Sequence, residues 1–174
     1  MAKRKDLSVE FDKDITSAFN RYGYKLEGYA NLKQTQDGPE ELIVKTLLNG
    51  RLHPIYFLGI PVVLLNNQID YDKLLTLATQ HKIEQKLGYA LEFSKIAIEG
   101  YGKKDIPPGL INAIETLSSN KPKKWICLND ILTGPLYTET SKNELYESPL
   151  NKWKVIDRPD LESAVKNLRL YERR

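Results

Sequence analysis

Apolar side chains recur along the first part of the chain at Phe11, Ile15, Ala18, Phe19, Tyr22, Leu26, Tyr29 and Leu32. Steps of three and four place them on one face of an amphipathic helix. Asp6 or Ser8 is positioned to cap it, and Gly23 and Gly28 mark where it can break, near RYGY. The polar run NLKQTQDG reads as a loop. A second helix is punctuated at both ends: Gly38 and Pro39 stand at its start, Glu40 and Glu41 fall in its first turn, and Gly50 stops it. Proline at the first helical position, acids at the positive end of the backbone dipole and glycine past the last turn are what helix termini require.

The longest apolar run, IYFLGIPVVLL, follows at residues 55–65. Residues 55–58 fit either a buried strand or the lead-in to a helix starting at Pro61, since periodicity does not discriminate over so few positions. The reading adopted is a short helix over PVVLLNN. Asp70 then caps YDKLLTLATQ, with Leu74, Leu75, Leu77 and Ala78 inward. His81 and Lys82 form a turn, and a further helix runs from Ile83 to Ile98. In it Leu87, Ala90 and Leu91 share a face, with Gly88 among them. An interior glycine costs about 1 kcal/mol relative to alanine. Gly88 therefore points to a close-packed neighbour, a partner or a ligand. GYGKKDIPPG is a loop, because Pro107 and Pro108 each remove a backbone donor, and LINAIETL is a helix.

The texture changes after residue 120. KKWICLND and WKVI (153–156) alternate as strands do, LYTE is a weaker strand in a turn-rich stretch, and RPDLESAVKNLRLY closes the chain as a helix, with Asp157 or Arg158 ahead of Pro159 at its start. The expected fold class is α+β, mainly α. Residues 1–120 form a helical body, and residues 121–174 a small β-hairpin plus C-terminal helix packed on that body. Two strands alone would be marginally stable, so packing on the helices is required.

Composition narrows the function. The 174 residues suit one domain, or one domain with a small appendage, and 41% hydrophobic with 28% charged residues is ordinary for a globular protein. No apolar run approaches the roughly 18 to 20 residues that cross a bilayer. MAKRKDLSVEF has no apolar region behind its basic residues, so no secretory signal is expected. Cys127 is the single cysteine, which excludes an internal disulfide and fits a reducing, cytoplasmic setting.

No catalytic, cofactor-binding or metal-binding residues emerge. His53 and His81 lack ligand spacing, and Cys127 sits between Ile126 and Leu128 as a core residue would. There is no GxSxG turn, and GYGKKD lacks the spacing and the Ser/Thr of a phosphate-binding loop. Glu40 with Glu41, and Asp70 with Asp72, are explained by their positions at helix starts. The expectation is a non-enzymatic protein without a cofactor.

Nucleic-acid binding is the alternative. The helices over 70–80 and 83–98 resemble a helix-turn-helix in spacing. However, Glu84, Glu92 and Glu99 beside Lys86 and Lys95 make the second a mixed face, as in a plain helical hairpin. The net charge of +3 permits such binding without requiring it. The better basic surface is Lys121, Lys123 and Lys124 flanking Trp125, with Lys152 and Lys154 flanking Trp153 on the other strand. If the strands pair, lysines and tryptophans share one sheet, as single-strand binders arrange them; equally, both tryptophans fit a core.

The succession PEELIVKTLLNG, LGIPVVLLNN and IDYDKLLTLATQHKIEQKLGYALE, over residues 39–98, resembles AbiEi-like antitoxins, prokaryotic regulators that accompany nucleotidyltransferase-type toxins. Lys86 stands where that pattern has arginine and Ala90 where it has leucine. The stretch before Gln36 is shorter than the amino-terminal winged helix of such proteins. The resemblance therefore implies the partner-binding role, not operator binding. Under it, Leu87, Gly88, Tyr89 and Leu91 meet a protein partner, a nucleotidyltransferase-type toxin, with self-association also allowed. An internal contact accounts for the glycine equally well.

Overall fold

The computed structural model describes residues 11–26, 36–102, 105–128, 149–157 and 160–172. Asp12 opens the first helix, α1 (Lys13–Arg21): its Oδ1 accepts the N–H groups of Asp14 and Ile15, each at 2.9 Å. Two of the orphan donors at the helix start are thereby satisfied. Of the amphipathic stretch from Phe11 to Leu32, the described part forms a helix of nine residues that ends at the break expected near RYGY. It stops at Tyr22, where Gly23 takes φ +99° and the Tyr24 N–H returns to the Phe19 carbonyl at 3.0 Å. Asp6, Ser8, Tyr29 and Leu32 lie outside the described residues.

Helix α2 (Pro39–Leu48) begins with proline and two acids as its sequence dictates. Helix α3 (Pro54–Asn66) differs from the expected short helix, running from Pro54 straight through Pro61. An interior proline removes a hydrogen bond and costs about 3 kcal/mol. Burial of apolar side chains all around α3 outweighs that cost, since Tyr56, Ile60, Val62, Val63 and Leu64 are fully inaccessible.

Helix α4 (Tyr71–His81) starts at Asp70, whose Oδ1 accepts the Lys73 N–H at 3.0 Å, as expected. It ends at Lys82 in the left-handed region, φ +57°, with the Ile83 N–H bonded back to the Ala78 carbonyl at 2.9 Å. A side chain at this position is strained, while glycine is not. Lys82→Gly is expected to raise stability by about 0.5–1 kcal/mol, read as a higher urea midpoint at unchanged slope.

Helix α5 (Glu84–Gly100) is the axis of the fold, buried from Leu87 to Ser94 and packed against α3, α6 (Leu110–Ser118) and α7 (Leu161–Tyr171). Asp160 caps α7 by accepting the Ser163 N–H at 2.9 Å; that corrects the expectation of Asp157 or Arg158, of which Arg158 lies outside the described residues.

The strands β1 (Ile126–Cys127) and β2 (Val155–Ile156) pair in parallel, Ile126 opposite Val155 and Cys127 opposite Ile156. The expected hairpin is thus overturned. Parallel neighbours need a crossover of a dozen or more residues, and the chain between Leu128 and Pro149 has that length. WKVI is only half strand, because Trp153 ends a 3-10 turn (Pro149–Trp153) and Lys154 takes φ +49°. The strand expected near LYTE lies outside the described residues. The fold is α+β and mainly α, with Leu150, Trp153, Val155, Ala164 and Leu168 sharing one core with the preceding helices.

Candidate binding surfaces

The glycine in α5 is occupied from within. A Cβ built on Gly88 would lie 2.0 Å from Cζ3 of Trp153 and 2.4 Å from its Cε3 and Cη2. The indole of Trp153 therefore rests on the bare helix backbone. Leu87, Tyr89 and Leu91 around it are fully buried. The expected partner surface at Leu87, Gly88, Tyr89 and Leu91 is corrected accordingly: these residues build the core, and the internal contact is the one observed. Burial also removes α5 as a DNA-reading helix, leaving α4 and α5 a helical hairpin.

Two polar groups on α5 tie the C-terminal elements to it. The Gln85 side-chain amide donates to the carbonyls of Lys124 (2.9 Å), Trp153 (2.8 Å) and Lys154 (3.1 Å), so one Nε2 serves the approaches to both strands. The Tyr89 hydroxyl donates to Oδ2 of Asp157 at 3.1 Å. Burial, and then the Asp157 charge, push the Tyr89 phenol far above its ordinary pKa, so it stays a donor. Neither role has a sequence signal, because their partners lie on elements distant in the chain.

The basic residues divide. Lys152 is taken up by a buried carboxylate, its Nζ 2.6 Å from Oε2 of Glu92 and 5.3 Å above the Trp153 ring. Trp153 is core, and Trp125 is half-buried against it. Lys121, Lys123 and Lys124 are exposed, and Lys154 reaches the Lys123 carbonyl at 3.5 Å. Strand pairing thus assembles part of the lysine patch while withdrawing Lys152 and one tryptophan from it.

The carboxylate pair of α2 is a clamp between helix starts. Glu40 Oε1 accepts the Asp70 N–H at 2.8 Å, and Lys73 Nζ bridges Glu41 (2.7 Å) and Glu40 (3.3 Å). Burial raises the Glu41 carboxyl, but hydrogen bonds from Lys73 and backbone N–H groups outweigh it and hold the group below the usual carboxylate range. A depressed folded-state pKa contributes stability that is complete above the unfolded value, near pH 4. That stability is lost as the pH falls through the folded value. Urea midpoints of Glu41→Gln are expected to decline less between about pH 5 and pH 3 than those of the parent chain.

A groove opens among the described residues. It encloses about 130 Å³ between the end of α2, the start of α3 and the segments beside the sheet. Leu47, Leu52, Pro54, Phe57, Leu58 and Leu128 give it an apolar lining, with Asn49, His53, Asp157 and Asp160 as polar groups. The His53 Nδ1 accepts the Ile55 N–H at 3.2 Å, which fixes the ring as the cap of α3. Phe11, 54% exposed, stacks on that imidazole with ring centres 4.7 Å apart. Beyond Asn49 the surface continues into a second, wider depression between α1 and α2, where Asp12, Asp14, Asp37, Lys45 and Leu48 lie.

Thr46, the hydroxyl residue of the groove lining, donates its Oγ1–H to the Leu42 carbonyl at 2.8 Å. Among the described residues no three His, Cys, Asp or Glu side chains are placed to hold a metal ion. Among the described residues no helix is long and apolar enough to cross a membrane. Compared with known proteins, the chain matches no family model, no curated protein and no solved structure.

Proposed function

We propose that the chain is a non-enzymatic cytoplasmic binding module, antitoxin-like in role, that engages a protein partner through the surface around Phe11 and Leu48, where the groove bounded by α2, α3 and the sheet adjoins the depression between α1 and α2. The observation that carries this reading is the exposed ring of Phe11 on His53 beside an apolar groove. Apolar and aromatic side chains left in solvent at a concave site are characteristic of partner surfaces. The pattern of α2 to α5, which resembles the AbiEi-like regulators, supports a nucleotidyltransferase-type partner. The test is co-expression with the product of the adjacent gene. A stable complex on size exclusion, weakened about tenfold or more by Phe11→Ser with Leu48→Ser, is the expected result. Both side chains are exposed, 54% and 42%, so these changes leave the fold intact. Absence of any complex overturns the reading.

The exposed Lys121, Lys123 and Lys124, with Lys154 brought alongside Lys123 by the strand pairing, favour a second reading as a nucleic-acid-binding surface. Binding of single strands would fall with salt at a log–log slope of about −3 if all four lysines meet phosphates. Lys123→Glu with Lys124→Glu is expected to abolish it. Binding that is insensitive to salt removes this reading.

A further inference from the structure

We infer that His53 is an acid-operated latch on the partner surface, seating Phe11 at the groove while its ring is neutral and releasing it when protonated. The latch rests on the partner-binding reading above, as the regulation of that same site. The imidazole does two things at once. Its Nδ1 accepts the Ile55 N–H at 3.2 Å at the start of α3, and its face carries the ring of Phe11, with centres 4.7 Å apart and planes 24° from parallel. The first of these requires the uncharged ring, because an imidazolium has a proton on both nitrogens and no lone pair to offer. The first turn of α3 holds no acid to take its place, and the Tyr56 N–H is already bonded to the His53 carbonyl at 3.1 Å. A proton at Nδ1 would also set positive charge against the positive end of the helix dipole.

The charged groups around the ring act in both directions. Asp157 and Asp160, which line the same groove, and Asp12, next to Phe11 in the chain, attract an imidazolium. Arg51, two residues before His53, and Lys86, whose Nζ meets the Leu47 carbonyl at 3.4 Å, repel it. Each of the three carboxylates already accepts a bond, Asp12 from the start of α1, Asp157 from Tyr89 and Asp160 from Ser163. None of these charges restores an acceptor to the Ile55 N–H. The Phe11 ring stacks on a neutral or a charged imidazole alike. The cap is therefore what discriminates against the proton, and Phe11 loses its seat when the ring leaves the cap. His53 is half-buried, so solvent reaches it. The folded chain uses the neutral ring and the unfolded chain does not. Stability from the cap is thus present at high pH and lost as the pH falls through the range in which imidazoles take up a proton, about pH 8 to 5.

The experiment is an NMR titration of the full chain from about pH 8 to about pH 5.5, where histidines change charge and carboxylates largely do not. His53 and His81 are the two histidines of the chain, so His81→Gln leaves His53 as the one imidazole. In that background the Ile55 amide proton is expected to move upfield as the His53 ring titrates, and cross-relaxation between the Phe11 and His53 rings to fade in step. The unfolding constant in urea is expected to rise by about fivefold, as loss of a helix cap implies. His53→Asn keeps an acceptor at the cap without a titrating group, and is expected to abolish the pH dependence of both the Ile55 resonance and the unfolding constant. An Ile55 resonance that ignores the His53 titration, or a pH dependence that survives His53→Asn, overturns the inference. The complex with the adjacent-gene product is then measured at both pH values. It is expected to weaken about fivefold or more at the lower pH with the parent chain, and to hold equally at both with His53→Asn. The two readings fail separately. If the complex forms, is broken by Phe11→Ser with Leu48→Ser, and holds equally at both pH values with the parent chain, partner binding stands and the latch falls. If no complex forms while Ile55 and Phe11 follow His53 as described, the antitoxin-like reading falls and the acid-operated seat of Phe11 stands.

Discussion

Gly88→Ala is expected to cost roughly 3 kcal/mol, at the upper end of what overpacking a core exacts. On an exposed helix the same change would gain up to about 1 kcal/mol, because alanine is the better helix former. Here the new methyl would sit 2.0 Å from an indole carbon, far inside van der Waals contact. The ring has little room to retreat, since Trp153 is 1% exposed and its main chain is held through the Gln85 bond to its carbonyl. All three of the nearest atoms belong to Trp153, so the penalty has a single source. The test is a double-mutant cycle read by urea unfolding in circular dichroism. Trp153→Ala alone is expected to lose about 3–5 kcal/mol by emptying the site. In that background Gly88→Ala should change sign and stabilise by up to about 1 kcal/mol. A Gly88→Ala penalty that persists without the tryptophan would show that some other contact requires the glycine.

That pair also marks where the sequence stops being informative. The cost of Gly88 was readable from helix propensity, but the identity of what repays it was not, because Trp153 comes from the far end of the chain. Helices α2 and α4 were legible for the opposite reason: Gly38–Pro39 with Glu40 and Glu41, and Asp70 ahead of Tyr71, are start signals that act within one turn. Pro61 misled because proline is a local stop sign, and only burial on every side of α3 overrides it. The strand segments were visible as composition, yet a strand pattern carries no information on whether its partner runs parallel. Phe11 fits the inward period of α1 but precedes the Asp12 cap, so it lies outside the helix and stacks on His53. The groove was invisible for the same reason as the tryptophan. Its walls come from α2, α3, Leu128 and the residues after β2, and only tertiary packing brings them together.

Gly59→Ala is the second large loss expected, about 2–3 kcal/mol, and it should behave differently from Gly88 under rescue. A Cβ at Gly59 would lie 2.3 Å from Cδ1 and 2.7 Å from Cε1 of Tyr24, and 2.8 Å from Cε1 of Phe19. Two rings therefore close on the α3 backbone, one from α1 and one from the turn that follows it. Both are trapped: Phe19 is fully buried and Tyr24 is 2% exposed, and the two rings already meet edge to face at 5.7 Å. Displacing Tyr24 also reaches α7, because its hydroxyl accepts a bond from Asn167 Nδ2 at 3.2 Å and its ring meets Tyr171 at 5.2 Å. Removing Tyr24 by substitution to alanine clears the two shorter contacts but leaves Phe19 in the way. The penalty of Gly59→Ala should shrink in that background without changing sign, in contrast to the full reversal at Gly88. Amide exchange should separate the cases further, with α7 losing protection in Gly59→Ala before the central part of α5 does. A complete reversal on deleting Tyr24 alone would mean that Phe19 yields freely, and that the seam between α1 and α3 is softer than its burial implies.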